Sequence, residues 1–312
     1  MHKSERIEYF IINKCSNRCI FCSECDKFDG REKSVNEIEK VLLAQNIKGC
    51  QVVHFMGGEP TIHTDFIKIL ILAKKLGLLT HIISNGIKFA SENFCKKALP
   101  YLDEIMISVH GQNSDLHNVH TGNPKSFRAL EKGLFNLNKY CAGRLLGTTT
   151  ISSLNLNSLD KIAIFFSKYS KIKEIQYISV IPSGEGGRNF IKITPRLLDL
   201  KMMIPEIVEV CERKKIDLRF SGVPMCILGE YYIFSQDLWE DFKIDNKKTH
   251  NDELLLWKEP KDFPQGENFK IDIGRIKTKK CGKCALKSIC GGIYKKYYQR
   301  YGDLELAPFP WQ

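Results

Sequence analysis

Three cysteines, Cys15, Cys19 and Cys22, fall within one short segment in a C-x3-C-x2-C spacing. Thiolates on a short loop are the usual ligands of iron-sulfur centres, and three of them leave one metal position open for chemistry. A structural zinc site closes with four ligands, and Cys25 could supply the fourth here, so the spacing by itself leaves zinc open. Cysteines buried as small hydrophobes would not crowd one loop in this way.

A second group stands near the end of the chain. Cys281, Cys284 and Cys290 form C-x2-C-x5-C and run into Gly291 and Gly292. Cys226, after Val223, Pro224 and Met225, is the best-placed fourth ligand by its loop context. Zinc competes here too, since C-x2-C with two distant cysteines is also a zinc-knuckle arrangement. Cys25, Cys50, Cys95, Cys141 and Cys211 remain, and most read as buried small hydrophobes.

The elements that must position these residues alternate between strand-like and helix-like stretches, the pattern of parallel β/α units. Strands fit Ile7 to Asn13, Gln51 to Met56, Thr80 to Ser84, Glu104 to Val109, Leu145 to Ile151 and Glu174 to Ile181. Helices fit Val35 to Gln45 after a Ser34 cap, Asp65 to Leu76, Ser91 to Ala98, Ser126 to Tyr140, Ser158 to Tyr169 and Pro195 to Lys215. These six repeats predict an α/β fold, a partial (β/α)6 TIM-type barrel. Polar and glycine-rich segments follow the strands: Gly57, Gly58 and Glu59; Ser84 and Asn85; Ser108 and His110; and the run from Ile181 to Arg188. Singly, each could be a cap or turn. Together they lie at strand carboxyl ends, where β/α barrels build active sites. The last run lacks the Lys-Ser/Thr of a phosphate loop. His110 could be a proton shuttle, and His117 and His120 read as loop residues.

The first cysteine loop, with Phe21 before its last cysteine, resembles the signature of the radical S-adenosylmethionine (SAM) superfamily. That resemblance implies a 4Fe-4S cluster on Cys15, Cys19 and Cys22, whose open iron binds the amino and carboxylate groups of SAM and whose electron releases a 5′-deoxyadenosyl radical. Met56 to Pro60 resembles the family's GGEP motif, implying that Gly57, Gly58 and Glu59 meet the methionine end. Ser84, Asn85 and Ser108 would then surround the carboxylate and ribose, and the Ile181 segment would back the adenine. His110 stands where many relatives carry Asp; the resemblance implies a place facing cofactor or substrate, and this departure leaves its exact role open. The carboxyl-terminal cysteines resemble part of a SPASM/twitch extension. The full pattern has seven cysteines, one of them where this chain has Tyr294, so the resemblance implies one auxiliary 4Fe-4S cluster, on Cys226, Cys281, Cys284 and Cys290.

The implied function is a radical SAM enzyme that modifies a ribosomally synthesised peptide by crosslinking, dehydrogenation or epimerisation. The alternatives are a small-molecule substrate such as a sugar or nucleoside intermediate, and a non-catalytic metal-binding protein. A reductant such as flavodoxin or ferredoxin would serve the cluster. With the first strand starting near Ile7, leader recognition would fall to the barrel or to a separate leader-peptide-binding protein.

Composition bounds these readings. The chain has 312 residues, 43% hydrophobic and 27% charged, which excludes disorder, collagen and a disulfide mini-scaffold. The net charge is +11, but the lysines are scattered and no basic run is interleaved with aromatics, which argues against a nucleic-acid partner. No export signal opens the sequence and no segment reaches the ~18 apolar residues of a membrane span, so the expectation is a cytoplasmic protein with no membrane association. Twelve cysteines in that compartment point to metal rather than disulfides. The boundary falls near Ser221, giving a core barrel over 1–220 and an auxiliary-cluster extension over 221–312.

Overall fold

The computed structural model describes residues 5–238, 254–255 and 274–310. Pro260, Pro264 and Gly266, which punctuate the sequence of the extension, lie outside the described residues.

Each β/α repeat forms where its apolar period places it. The strands are β1 (Glu5–Ile12), β2 (Cys50–Gly57), β3 (Leu79–Ser84), β4 (Glu104–Ser108), β5 (Arg144–Ile151) and β6 (Ile172–Ser179). Between them run α1 (Val35–Ile47), α2 (Phe66–Lys75), α3 (Glu92–Ala98), α4 (Ser114–Thr121), α5 (Ser126–Tyr140) and α6 (Leu159–Phe166). Local chemistry sets the boundaries: Ser34 and Glu37 make a reciprocal capping box at the start of α1, and Ser91 and Asn113 cap α3 and α4 through their side chains. After β6 come α7 (Gly184–Arg188), α8 (Phe190–Ile193) and α9 (Leu197–Lys214).

The sheet is wholly parallel, in the order β7-β6-β5-β4-β3-β2-β1-β8, with β7 (Asp217–Ser221) and β8 (Leu254–Leu255) at its edges. The two edges are not paired to each other, so the barrel is partial and open. Parallel sheets are covered on their faces by crossover helices, and Phe55, Ile82, Ile105 and Ile175 of the strands are fully buried with Leu70, Leu134 and Phe166 of the helices. In-register pairing, such as Ser84 with Ile107 and Ser108 with Thr148, brings the strand carboxyl ends to one rim.

The structure corrects four local readings. A seventh strand, β7, follows the sixth long helix; its only buried residues are Leu218 and Phe220, too short an alternation to stand out. His117 and His120 are not in a loop but on α4, and both are buried. The stretch after Ile181 winds into α7, and Cys226 sits on a one-turn helix, α10 (Met225–Leu228), rather than in a loop.

Beyond β7 the extension contains a two-stranded antiparallel ribbon of β9 (Arg275–Ile276) and β10 (Ile293–Tyr294), and α11 (Lys295–Tyr301). It packs back onto the barrel: Tyr297 Oη accepts the N–H of Leu197 at 2.9 Å, and Arg196 Nε donates to Glu305 at 2.7 Å. No helix among the described residues is long and apolar enough to cross a membrane.

Candidate active site

The cysteine loop leaves the end of β1 and is held on several sides. From β2, the N–H of Gly58 donates to Ile12 O at 3.0 Å and that of Glu59 to Lys14 O at 2.9 Å. A Cβ at Gly57 would lie 2.3 Å from Ile12 O, and one at Gly58 would lie 2.2 Å from Lys14 O. The glycines are therefore needed first for the close approach of two strand ends. From α4, the carbonyls of Thr121 and His120 accept the N–H groups of Arg18 and Ile20 at 2.8 and 3.0 Å. From β3, Asn85 Nδ2 donates to Ser16 Oγ at 3.0 Å.

Glu59 is the polar hub of this rim. It is buried, and its carboxylate accepts Thr61 Oγ1 at 2.6 Å, Ser84 Oγ at 2.8 Å and the N–H groups of Asn85 and Thr61 at 2.7 and 3.2 Å. Burial pushes its carboxyl above the usual range, while the donors from Thr61, Asn85 and Ser84 pull the other way.

A cavity of ≈570 Å³ opens over this rim, within the range of small-molecule and cofactor sites. Cys15, Cys19, Phe21 and Cys22 line it, and so do Gly57, Gly58 and Glu59. Ser84, Asn85, Ser108, His110 and Ile181 complete the sequence-predicted set on its walls. Burial pushes the Cys15 thiol up to about 12, with the Glu59 charge adding to it, and the Cys22 thiol up to about 11. Cys19 is raised as well, by burial and then by Cys15 and Cys22. Metal binding at these thiols must therefore release protons.

Behind the loop, His117 and His120, read from the sequence as loop residues, join the predicted His110 in one group. The Phe21 ring meets His110 edge-on at 4.5 Å, and His110 stacks on His117 at 5.8 Å. His110 Nδ1 accepts the N–H of Thr150 at 3.2 Å, so the neutral ring carries its proton on Nε2. His117 Nδ1 accepts the N–H of His110 at 3.2 Å, which leaves its Nε2–H for Ser126 Oγ at 3.1 Å. His120 donates from Nδ1 to Leu116 O at 2.6 Å and accepts Ser152 Oγ at 2.7 Å on Nε2. Burial lowers all three rings' pKa values, keeping them neutral. The helical i, i+3 spacing of His117 and His120 was the available signal.

Cys25, Glu185 and Arg188 also line the cavity. Cys25 Sγ accepts the N–H of Glu185 at 3.2 Å and Arg188 Nη2 at 3.1 Å. Of the cysteines outside the two motifs, this one alone reaches the cavity; Cys50, Cys95, Cys141 and Cys211 are buried elsewhere.

The extension brings Cys226, Cys281, Cys284 and Cys290 around a second, small cavity, so the four predicted ligands share one wall-to-wall space. Burial pushes the Cys226 thiol up to about 11, and the other three cysteines act on it electrostatically. All twelve cysteines are free thiols, and among the described residues no three His, Cys, Asp or Glu side chains converge as ligands of a single ion.

Comparison with known proteins agrees with this geometry. Residues 9–166 match the family described as the radical SAM superfamily. This chain belongs to that superfamily. The radical SAM family carries with it a 4Fe-4S cluster and SAM binding. The chain is 32% identical over 108 residues to the PqqA peptide cyclase of Bradyrhizobium diazoefficiens, covering 34% of this chain and 28% of that protein. It is 29% identical over 108 residues to the PqqA peptide cyclase of Rhodopseudomonas palustris, covering 34% and 29%. It thus spans less than a third of the length of these curated relatives. Among solved structures, Streptococcus suis SuiB bound to S-adenosylmethionine superposes with a TM-score of 0.60 at 17% identity over 96% of this chain and 75% of that one. Native anSMEcpe with bound AdoMet and the Kp18Cys peptide superposes with a TM-score of 0.56 at 17% identity, over 69% and 64%. These likenesses establish the radical SAM barrel fold.

Proposed function

We propose that this chain is a radical SAM enzyme that modifies a peptide. The observation that carries the reading is the single ≈570 Å³ cavity that gathers Cys15, Cys19 and Cys22 with Glu59, Ser84 and Asn85 at the strand carboxyl ends. The peptide class is supported by the PqqA peptide cyclases and by SuiB, solved with its precursor peptide SuiA.

Cys15, Cys19 and Cys22 would hold the 4Fe-4S cluster. When bound, cluster and SAM together supply a 5′-deoxyadenosyl radical able to take a hydrogen atom from an unactivated carbon. The chain's own part is orientation. Gly57, Gly58 and Glu59 would meet the amino-acid end of SAM at the β2 exit, and Ser84 and Asn85 hold the Glu59 carboxylate in place. Ser108 and His110, on the cavity wall, would face the ribose, the Ile181 turn would back the adenine, and the Phe21 ring braces His110.

Cys226, Cys281, Cys284 and Cys290 would hold one auxiliary 4Fe-4S cluster, which would supply an electron-transfer site for the substrate or help to hold it. The barrel would then be built mainly from 1–220 and the extension from 221–312, with β8 of the second segment joining the barrel sheet beside β1. A cytoplasmic reductant such as flavodoxin or ferredoxin feeds the first cluster. Recognition of the peptide would fall to the barrel itself or to a separate leader-peptide-binding protein.

One observation favours epimerisation as a second outcome. The Cys25 thiol lines the same cavity and could return a hydrogen atom to a substrate carbon radical. The resulting thiyl would need one electron, from the flavodoxin- or ferredoxin-type reductant, and one proton from solvent to return to the thiol.

The test is intact-mass spectrometry of a short peptide encoded beside this gene, co-produced anaerobically with the enzyme or with its Cys15→Ala, Cys19→Ala, Cys22→Ala variant. Loss of two hydrogens only with the active enzyme supports crosslinking or dehydrogenation. An unchanged mass with deuterium gained at an α carbon in heavy water supports epimerisation through Cys25. Neither change would sink the peptide reading in favour of a small molecule.

A further inference from the structure

Arg275 and Asp237 form a two-pronged ion pair, with Nη1 to Oδ1 and Nη2 to Oδ2 both at 2.8 Å. The side chains are 11% and 18% exposed. Such pairs fix geometry as well as charge, because the planar guanidinium matches both carboxylate oxygens. This one does not stand alone. Asp237 Oδ2 also accepts the N–H of Gly291 at 2.8 Å, and Arg275 Nε donates to Gly292 O at 3.1 Å. The pair therefore grips, from both sides, the two residues that follow Cys290.

The glycines of that turn are shaped to the grip. A Cβ at Gly291 would lie 2.3 Å from Arg275 Nη1, and one at Gly292 would lie 2.1 Å from Ile276 O. Gly292 also has φ +87°, a left-handed backbone that favours glycine. The N–H of Gly292 points back to Cys290 Sγ at 3.4 Å. Arg275 lies on β9, paired with Tyr294 on β10, so the register of the ribbon ties the guanidinium to the cysteine turn. The guanidinium is also within electrostatic reach of the Cys290 sulfur.

We propose that the Arg275–Asp237 pair is the positioning element of the auxiliary cluster: it holds Cys290 in its ligating place, and its cation, tempered by its carboxylate, sets how readily the cluster takes an electron. The proposal rests on the reading of the four extension cysteines as cluster ligands. Charge near an iron-sulfur cluster is one of the levers on its potential. A cation beside it favours the reduced state, and neutralising the carboxylate leaves that cation less compensated.

The experiment uses the full chain carrying Cys15→Ala, Cys19→Ala and Cys22→Ala, reconstituted anaerobically, so that only the auxiliary site reports. Iron per chain and the midpoint potential are measured in this parent and with Arg275→Gln or Asp237→Asn added. The expected result is a more negative potential for Arg275→Gln and a more positive one for Asp237→Asn, opposite shifts that a merely structural pair would not produce. Unchanged potentials, or shifts of one sign, would overturn the proposal. Where a charge variant does not fold, Gly291→Ala decides: it leaves every charge in place and drives a Cβ into the guanidinium. Reduced iron or an altered electron paramagnetic resonance spectrum is expected, and a parent-like spectrum at full iron would overturn the idea. Zinc in place of iron in the parent, before either charge is touched, would instead sink the auxiliary-cluster reading on which the proposal stands.

Discussion

Glu305, on the extension, accepts the backbone N–H of Leu197, the first residue of α9, at 3.1 Å. The same carboxylate takes Arg196 Nε at 2.7 Å and the Tyr297 hydroxyl. A buried carboxylate at a helix amino terminus satisfies orphan N–H groups and meets the positive end of the dipole. Replacing it by Ala leaves the Leu197 N–H and the Tyr297 hydroxyl each with one partner fewer, at a cost of about 2 kcal/mol. We expect Glu305→Ala to lower the urea midpoint accordingly. An unmoved midpoint would mean that the extension is anchored by its other contacts.

The three cysteines on the loop after β1 should act as one unit. Alanine at Cys15, Cys19 and Cys22 together should abolish reductive formation of 5′-deoxyadenosine while a second iron signal remains. Alanine at Cys281 and Cys284 should do the converse, lowering bound iron and sparing the first cluster's spectrum. Persistence of 5′-deoxyadenosine in the first variant would remove the cofactor assignment.

Gly58→Ala tests whether the β2 exit is as tight as it looks. Its Cβ would sit 2.2 Å from the Lys14 carbonyl, a backbone atom that cannot swing aside. Forced overpacking of this kind costs ~1–3 kcal/mol. Displacing Lys14 also displaces Cys15, so we expect weaker SAM binding by at least about tenfold, since ~1.4 kcal/mol is a factor of ten. Equilibrium binding to the reconstituted protein measures it, and wild-type affinity would show that the strand ends can separate freely.

Buried histidines make stability fall in mild acid. Burial, and then the charge of Arg6, lowers His54 to about 3. Burial, with His120 second, lowers His117 to about 3. Both ring nitrogens of His54 lack a hydrogen-bond partner among the described residues, so protonation there meets no acceptor among them. With an unfolded value of ~6.5, the unfolded chain binds more protons from that pH down to the folded values. Stability from these groups is therefore intact above pH ~6.5 and is lost as pH falls below it, by about 1.4 kcal/mol for each ring at pH ~5.5. Urea unfolding at pH ~7.5 and ~5.5 checks the slope, and His54→Phe should remove part of it. A flat profile would refute this assignment.

Much of the fold was legible because its signals are local. The Ser34–Glu37 box, the apolar strand runs and the strand-end motifs each lie within a few residues of one another, and the structure forms them where the periods place them. The readings that failed had weaker local signal. α4 is short and mostly polar; only His117, His120 and Thr121 of it are buried, and Ser126 and Ser152 partner the two rings. Likewise β7 is a short alternation that is recognisable once paired with β6.

The sequence by itself determined the cysteine spacing, the order of the β/α units and the family, because ligand spacing and hydrophobic period are properties of neighbouring residues. Only the tertiary structure decided which distant groups meet. It set Ser84 and Asn85 on Glu59, brought Cys25 to the cavity, and gathered Cys226 with Cys281, Cys284 and Cys290. Those meetings depend on strand register and on the docking of the extension, which follow from long-range packing rather than from any local pattern.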